Sequence, residues 1–470
     1  MQTAAGTRSY ALEHGDEFQV PGLKISEHAL RVPLDYNAAS GKQIRVFARL
    51  ARASKGAEPE ENAALKNVVC YLQGGPGFEA PRLAENGGMI KELLKRYDAV
   101  LLLDQRGTGL STPVSAASLA KLGSPQNQLE YLVHFRADSI VRDAEAFRGA
   151  ILGEDAKWTI LGQSFGGFCC VTYLSLFPQH LKAALITGGI PYIQDTANAD
   201  EHCATRVYEH LVPRYLRAMD RFYSLFPNDA ERLRSLILHL SAYEVKLPGG
   251  GTLSANLFLS LGLRLLGAPG GFVRLHYLLE RAFELESTPA ALSAYFLADV
   301  QGMIPFGMNP LYALLHEACY ANADGATAFA SDRVVNSDPY KHLFDAASRA
   351  AAGENVYMYG EQVFSWMFED IAELRDMQPV MQLLAEYKQW GALYDVDALS
   401  ANTVPVAATV YVNDLYVDSE LSLRTAARIG NTHCYVTNQF THGGLRENPS
   451  DVLDTLHGLL ERNACSLEAL

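Results

Sequence analysis

Short, uninterrupted apolar runs alternate with amphipathic stretches through roughly the first 190 residues of the chain. The runs at 68–72, 99–103, 158–160 and 183–187 offer water almost no polar position, which is how a strand covered on both faces reads. Before them, 29–34 and 43–51 alternate apolar with polar residues around Ser40-Gly41-Lys42 and predict an antiparallel pair opening the sheet. The polar stretch 52–66, with Pro59, predicts a surface loop. Helical spacing over 136–152 and 168–177 then interleaves with the buried runs, the order of a mostly parallel, doubly wound sheet. After Gly188-Gly189-Ile190-Pro191 the period changes: helices are predicted over 206–226, 231–242, 254–266, 273–285 and 310–321, with almost no strand-like run between them. Strand texture returns at 406–412 and 434–436, and a last helix is predicted over 449–461. The pattern therefore predicts an α/β core formed by 1–192 and 403–470, interrupted by a helical cap over 193–402.

The exits of the buried runs carry the chemistry. The third run passes into Leu161-Gly162-Gln163-Ser164-Phe165-Gly166-Gly167, a GxSxG pattern between strand and helix, which reads as a sharp turn that lifts Ser164 at its apex. A serine hydroxyl needs a base to take its proton and a third group to fix that base. Asp414 follows the strand at 406–412, and His442 follows the next strand, flanked by Gly443-Gly444, so acid and histidine come in the order such a site uses. Asp418 falls one turn too late, and His433 stands at the start of its strand instead of after it. The first buried run ends in Gln73-Gly74-Gly75-Pro76-Gly77, whose small residues let backbone N–H groups face an open site. The oxyanion donors are expected to be the N–H of Phe165 and that of Gly74 or Gly75. In Asp104-Gln105-Arg106-Gly107-Thr108-Gly109, Asp104 and Arg106 are expected to pair with each other and shape the loop.

The 470 residues carry a net charge of −14 with no basic cluster, which argues against a nucleic-acid partner. The N-terminal twenty residues have no apolar centre and no later run is long enough to span a bilayer, so a soluble, cytoplasmic protein without a membrane partner is expected. Seven cysteines show neither disulfide nor metal-ligand spacing, and Cys169-Cys170 are expected to be buried. The chemistry described needs no metal and no other cofactor.

Substrate choice is expected from the cap. Glu317, in Asn309-Pro310-Leu311-Tyr312-Ala313-Leu314-Leu315-His316-Glu317-Ala318-Cys319-Tyr320, borders an apolar helix face, and Glu361 opens the aromatic run containing Phe364, Trp366 and Phe368. A carboxylate beside an apolar pocket lined by such rings and Tyr320 suits a positive amine next to a compact apolar side chain. Solvated glutamates beside core aromatics satisfy the same pattern. Cys319 would place a thiol two residues from Glu317.

Together these motifs resemble the prolyl aminopeptidase (proline iminopeptidase) family of α/β-hydrolases, in its longer form with an enlarged cap. The likeness extends to Ala199-Asp200-Glu201 and to the stretches 309–320 and 359–369. It implies release of an N-terminal residue, typically proline, from peptides with a free N-terminus, with Ser164 as nucleophile, His442 as general base and acid, Asp414 as orienting acid, and Glu317 and Glu361 holding the amine. Gln73 stands where shorter members have histidine, and Ser365 where proline is expected. An esterase or amidase indifferent to the amine uses the same triad, and an idle binding protein shares the fold. A dehalogenase would carry aspartate at Ser164.

Overall fold

Burial along the central strands alternates between two faces, and the chain covers both. The computed structural model describes residues 10–54, 65–194, 203–285, 291–323 and 325–467. The stretch 199–201 and most of the expected loop over 52–66 lie outside these residues. Nine strands form one sheet: β1 (Glu13–Val20), β2 (Leu23–Pro33), β3 (Gln43–Ala53), β4 (Val68–Leu72), β5 (Ala99–Asp104), β6 (Trp158–Gln163), β7 (Leu181–Thr187), β8 (Val406–Tyr411) and β9 (Thr432–Thr437). Their order is β1-β2-β3-β5-β4-β6-β7-β8-β9, antiparallel as far as β5 and parallel from there on. The helices used below are α1 (Ala137–Leu152), α2 (Phe165–Leu176), α3 (Cys203–Leu225), α4 (Gly271–Glu280), α5 (Pro310–Leu315), α6 (Ala330–Val335), α7 (Ser419–Ala426) and α8 (Pro449–Leu467).

One face of the sheet, with Cys70, Leu101, Ile160 and Ile186, packs on α1 and α2; the other, with Val69, Val100, Leu161 and Leu185, packs on Val452, Leu453 and Leu456 of α8. This two-sided burial is why the central strands read as continuous apolar runs. Strand β1 is absent from the sequence-based expectation because nearly all of it is exposed and it carries no alternating pattern; its pairing with β2 forms it. The stretch 254–266 breaks into two short helices, and 310–321 ends as an α-helix at Leu315 before a 3₁₀ turn over Glu317–Tyr320. Among the described residues, the chain between β7 and β8 is helical apart from two isolated bridges, and no helix is long and apolar enough to cross a membrane.

The connectivity places the reactive loops together. Leu72 pairs with Gly162, so the loops leaving β4 and β6 emerge side by side where the strand order reverses, the crevice in which open α/β sheets hold ligands.

Candidate active site

Ser164 sits between β6 and α2 at φ 58° and ψ −128°, a strained backbone that surrounding contacts must enforce. The Ser164 N–H donates to Thr187 O (3.0 Å) and its carbonyl accepts from Gly167 N–H (2.7 Å). Helix α2 runs so close to β4 that a Cβ on Gly166 would overlap the Leu72 carbonyl, and one on Gly162 would overlap Gly166. Cys169 and Cys170 are buried in α2.

His442 Nδ1 lies 2.8 Å from Asp414 Oδ2, and Asp414 Oδ1 accepts the backbone N–H groups of Tyr416 (2.8 Å) and Val417 (3.1 Å). With Nδ1–H donated to a fixed carboxylate, Nε2 is the ring nitrogen left to accept a proton. Burial opposes the charged form of His442, but the carboxylates of Asp414 and Glu361 outweigh it and Arg446, and the imidazole pKa is raised. The Tyr416 ring packs on His442 with centroids 4.6 Å apart, and its hydroxyl donates to Leu263 O (2.7 Å). Asp418 has other work: it caps α7 through Leu421 N–H (2.9 Å) and pairs with Arg214 (2.6 Å). His433 lies within β9, where it pairs with Ala407.

A Cβ on Gly74 would lie 3.0 Å from Ser164 Cβ, so the loop after β4 borders the serine. The Gly74 N–H is donated to Gln73 Oε1 (3.0 Å), which also accepts the Tyr71 hydroxyl (2.9 Å). Among the described residues, the N–H groups of Gly75 and Phe165 have no acceptor. Gly74 can serve an oxyanion only after Gln73 releases it; Gly75 and Phe165 need no such exchange.

Glu317 and Glu361 have different surroundings. Glu317 is 3 % exposed, and its carboxylate accepts Ala330 N–H (3.0 Å), Ser331 N–H (2.9 Å) and the Ser331 hydroxyl (3.2 Å), closing the start of α6. Burial raises its pKa despite these bonds. The expectation that Glu317 borders an open pocket assumed a continuous helix; the 3₁₀ turn from Glu317 onward turns it away from the α5 face. Glu361 Oε1 accepts the Tyr312 hydroxyl (2.6 Å) and lies 3.8 Å from His316 Nε2, while Oε2 has no donor among the described residues. Burial works against its charge, yet His316, Tyr312 and His442 prevail and hold the carboxyl below its ordinary pKa. Glu361 is thus an ionised carboxylate beside His442, and Glu317 an internal helix cap.

Tyr320 packs edge-on against Phe168 (5.8 Å), which touches Phe165 beside the serine (6.1 Å). Phe364 and Trp366 stack on each other (5.3 Å) and lie tilted against Tyr359, and Phe368 is buried. Cys319 is 5 % exposed, and burial pushes its thiol well up, away from the reactive thiolate. Asp104 and Arg106 do not pair with each other: Asp104 takes both ends of Arg82 (2.7 Å each), and Arg106 makes a fully buried fork with Asp143 (2.7 and 2.6 Å). Loop residues so close in sequence diverge to opposite sides, where each charge meets a distant partner.

Tyr312 and His316 join the site from outside the residues expected above, although their spacing of four along a helix puts both on one face. Arg446 joins it too: its guanidinium donates to Gln163 Oε1 (3.0 Å) while Gln163 Nε2 reaches the His442 carbonyl (3.5 Å). No local signal links those three residues.

A family profile described as alpha/beta hydrolase fold matches residues 67–245. A proline iminopeptidase of Aeromonas sobria is 41% identical over 440 residues, covering 93% of this chain and 97% of that one. The proline iminopeptidase AneH of Aspergillus aculeatus is 33% identical, with 94% and 95% of the two chains covered. Identity at this level runs end to end through both parts of the sheet and the helices between them, and the chain therefore belongs to the proline iminopeptidase family of α/β-hydrolases.

Proposed function

We propose that this chain is a serine aminopeptidase that releases N-terminal proline, or a similar small apolar residue, from peptides. The ionised carboxylate of Glu361, with one oxygen undonated and its charge felt by His442, carries this reading. In it, the substrate's N-terminal ammonium group, a secondary ammonium in proline, docks on Glu361 and its first carbonyl lies over Ser164. His442 Nε2 takes the Ser164 proton as Oγ attacks, and the oxyanion is held by Phe165 N–H with Gly75, or with Gly74 once Gln73 lets go. The C–N bond breaks as His442 returns the proton to the leaving amine, and water activated by the same ring then cleaves the acyl-enzyme. Asp414, bound at 2.8 Å to His442, keeps the tautomer through both halves. The helices over 193–402 act as the cap that sets substrate choice, and the enzyme works in the cytoplasm.

The test compares a prolyl arylamide bearing a free amine with its N-acetylated twin and a simple acyl ester, in the parent and in Ser164→Ala. Cleavage of the free-amine substrate alone, abolished in Ser164→Ala, supports the aminopeptidase. Equal or faster cleavage of the blocked twin or the ester replaces it with a general esterase.

A further inference from the structure

A cavity of about 420 Å³ opens beside the loops that carry Asp414 and His442. Asn413, Leu415 and Thr441, the chain neighbours of those two residues, form one side of it. Arg214, Arg217 and Arg221 form another, from the polar face of α3, while Tyr215, Met219 and Phe222 face the core. The turn that enters α4 closes the third side. Among the described residues no carboxylate lines the cavity, although the chain as a whole carries −14. Arg214 is already committed, to Asp418 (2.6 Å) and the Val412 carbonyl (2.8 Å). Arg217 and Arg221 have no ion pair and no hydrogen-bond acceptor among the described residues.

We propose that this cavity binds a carboxylate or similar oxyanion, and that its occupant is the C-terminal carboxylate of a short peptide substrate. Two unpaired guanidinium groups in a concave site free of acids are the complement of such a group, which they hold through charge-assisted hydrogen bonds. The identification of the occupant rests on the aminopeptidase reading. That reading puts the substrate's positive end on Glu361, next to His442, and the cavity offers two positive charges behind Thr441 on the same loop. A short free peptide carries both charges on one molecule. Thr441 Oγ donates to Gly267 O (2.9 Å), so the loop bearing His442 is tied to the cavity's far wall and ligation there bears on the triad.

The experiment measures kcat and KM for Pro-Gly-Gly, its C-terminal amide and a prolyl arylamide. It uses the parent, the Arg217→Ala/Arg221→Ala double variant and the corresponding double lysine variant. Calorimetric titration of each protein with inorganic phosphate runs alongside. The parent is expected to favour the free acid over the amide by about tenfold in KM. The alanine pair erases that preference, the lysine pair keeps most of it, and arylamide kinetics stay the same in all three. If the parent treats acid and amide alike but binds phosphate, and the alanine pair does not, the cavity is an oxyanion site and its assignment to the substrate is overturned. If neither the preference nor phosphate binding depends on the arginines, the whole inference is overturned. A parent that leaves the arylamide intact overturns the aminopeptidase reading, and the titration still decides the cavity.

Discussion

Glu361→Gln tests the central electrostatic argument at a single atom. The substitution keeps size and the Tyr312 contact (2.6 Å) but removes the negative charge that the buried site holds ionised. A hydrogen bond to a charged partner contributes about 1.5–3 kcal/mol, so kcat/KM for a free-amine prolyl substrate is expected to fall by about 10- to 150-fold. The loss should fall mainly on substrates with a free amine, because an N-acetylated twin has no cation to lose. The same variant carries a pH signature. Glu361 helps raise the His442 pKa, and the ring acts as a base only when neutral. Removing the carboxylate therefore moves the acid limb of kcat/KM to lower pH. Glu317→Gln is the matched control: it weakens the cap on α6 and lowers the unfolding midpoint, with the free-amine selectivity kept. The assay is steady-state hydrolysis of the arylamide pair across pH, with thermal unfolding of each variant. Glu361 is not the partner of the substrate's amine if Glu361→Gln stays within about twofold of the parent, or if Glu317→Gln loses selectivity while keeping its unfolding midpoint.

Two further outcomes follow from contacts away from the substrate. Arg446→Met removes the positive charge that lowers the His442 pKa and the donor that orients Gln163, so the acid limb should move to higher pH and kcat should fall more than KM rises; Arg446→Lys should restore the limb. An unshifted limb in Arg446→Met removes Arg446 from the site. Asp143→Asn leaves Arg106 as a fully buried cation without its counter-charge, and a loss of about 3–5 kcal/mol is expected from urea unfolding; a loss below about 1 kcal/mol would mean that the fork's other acceptors, Leu34 O and His134 O, suffice.

The central strands and the elbow were legible in the sequence, because both are written in local physics. Strands buried on two faces are apolar along their buried run, as at Val68–Leu72 and over 99–103, and a turn squeezed against β4 must carry glycine at 162 and 166. The order of Ser164, Asp414 and His442 on successive strand exits was legible for the same reason, since each follows a strand that could be recognised alone. Strand β1 was not legible, because an exposed edge strand owes its form to its neighbour's backbone. The different surroundings of the two glutamates came from tertiary contacts alone. Glu317 and Glu361 have the same chemistry; what differs is that one meets the open end of α6 and the other meets His316 and Tyr312, residues 45 and 49 positions away along the chain. The tertiary structure likewise sent Asp104 to Arg82 and Arg106 to Asp143, and joined Arg446 to Gln163. A buried charge is defined by its partner, and partners brought together by a chain returning from far away leave no periodic trace in the sequence.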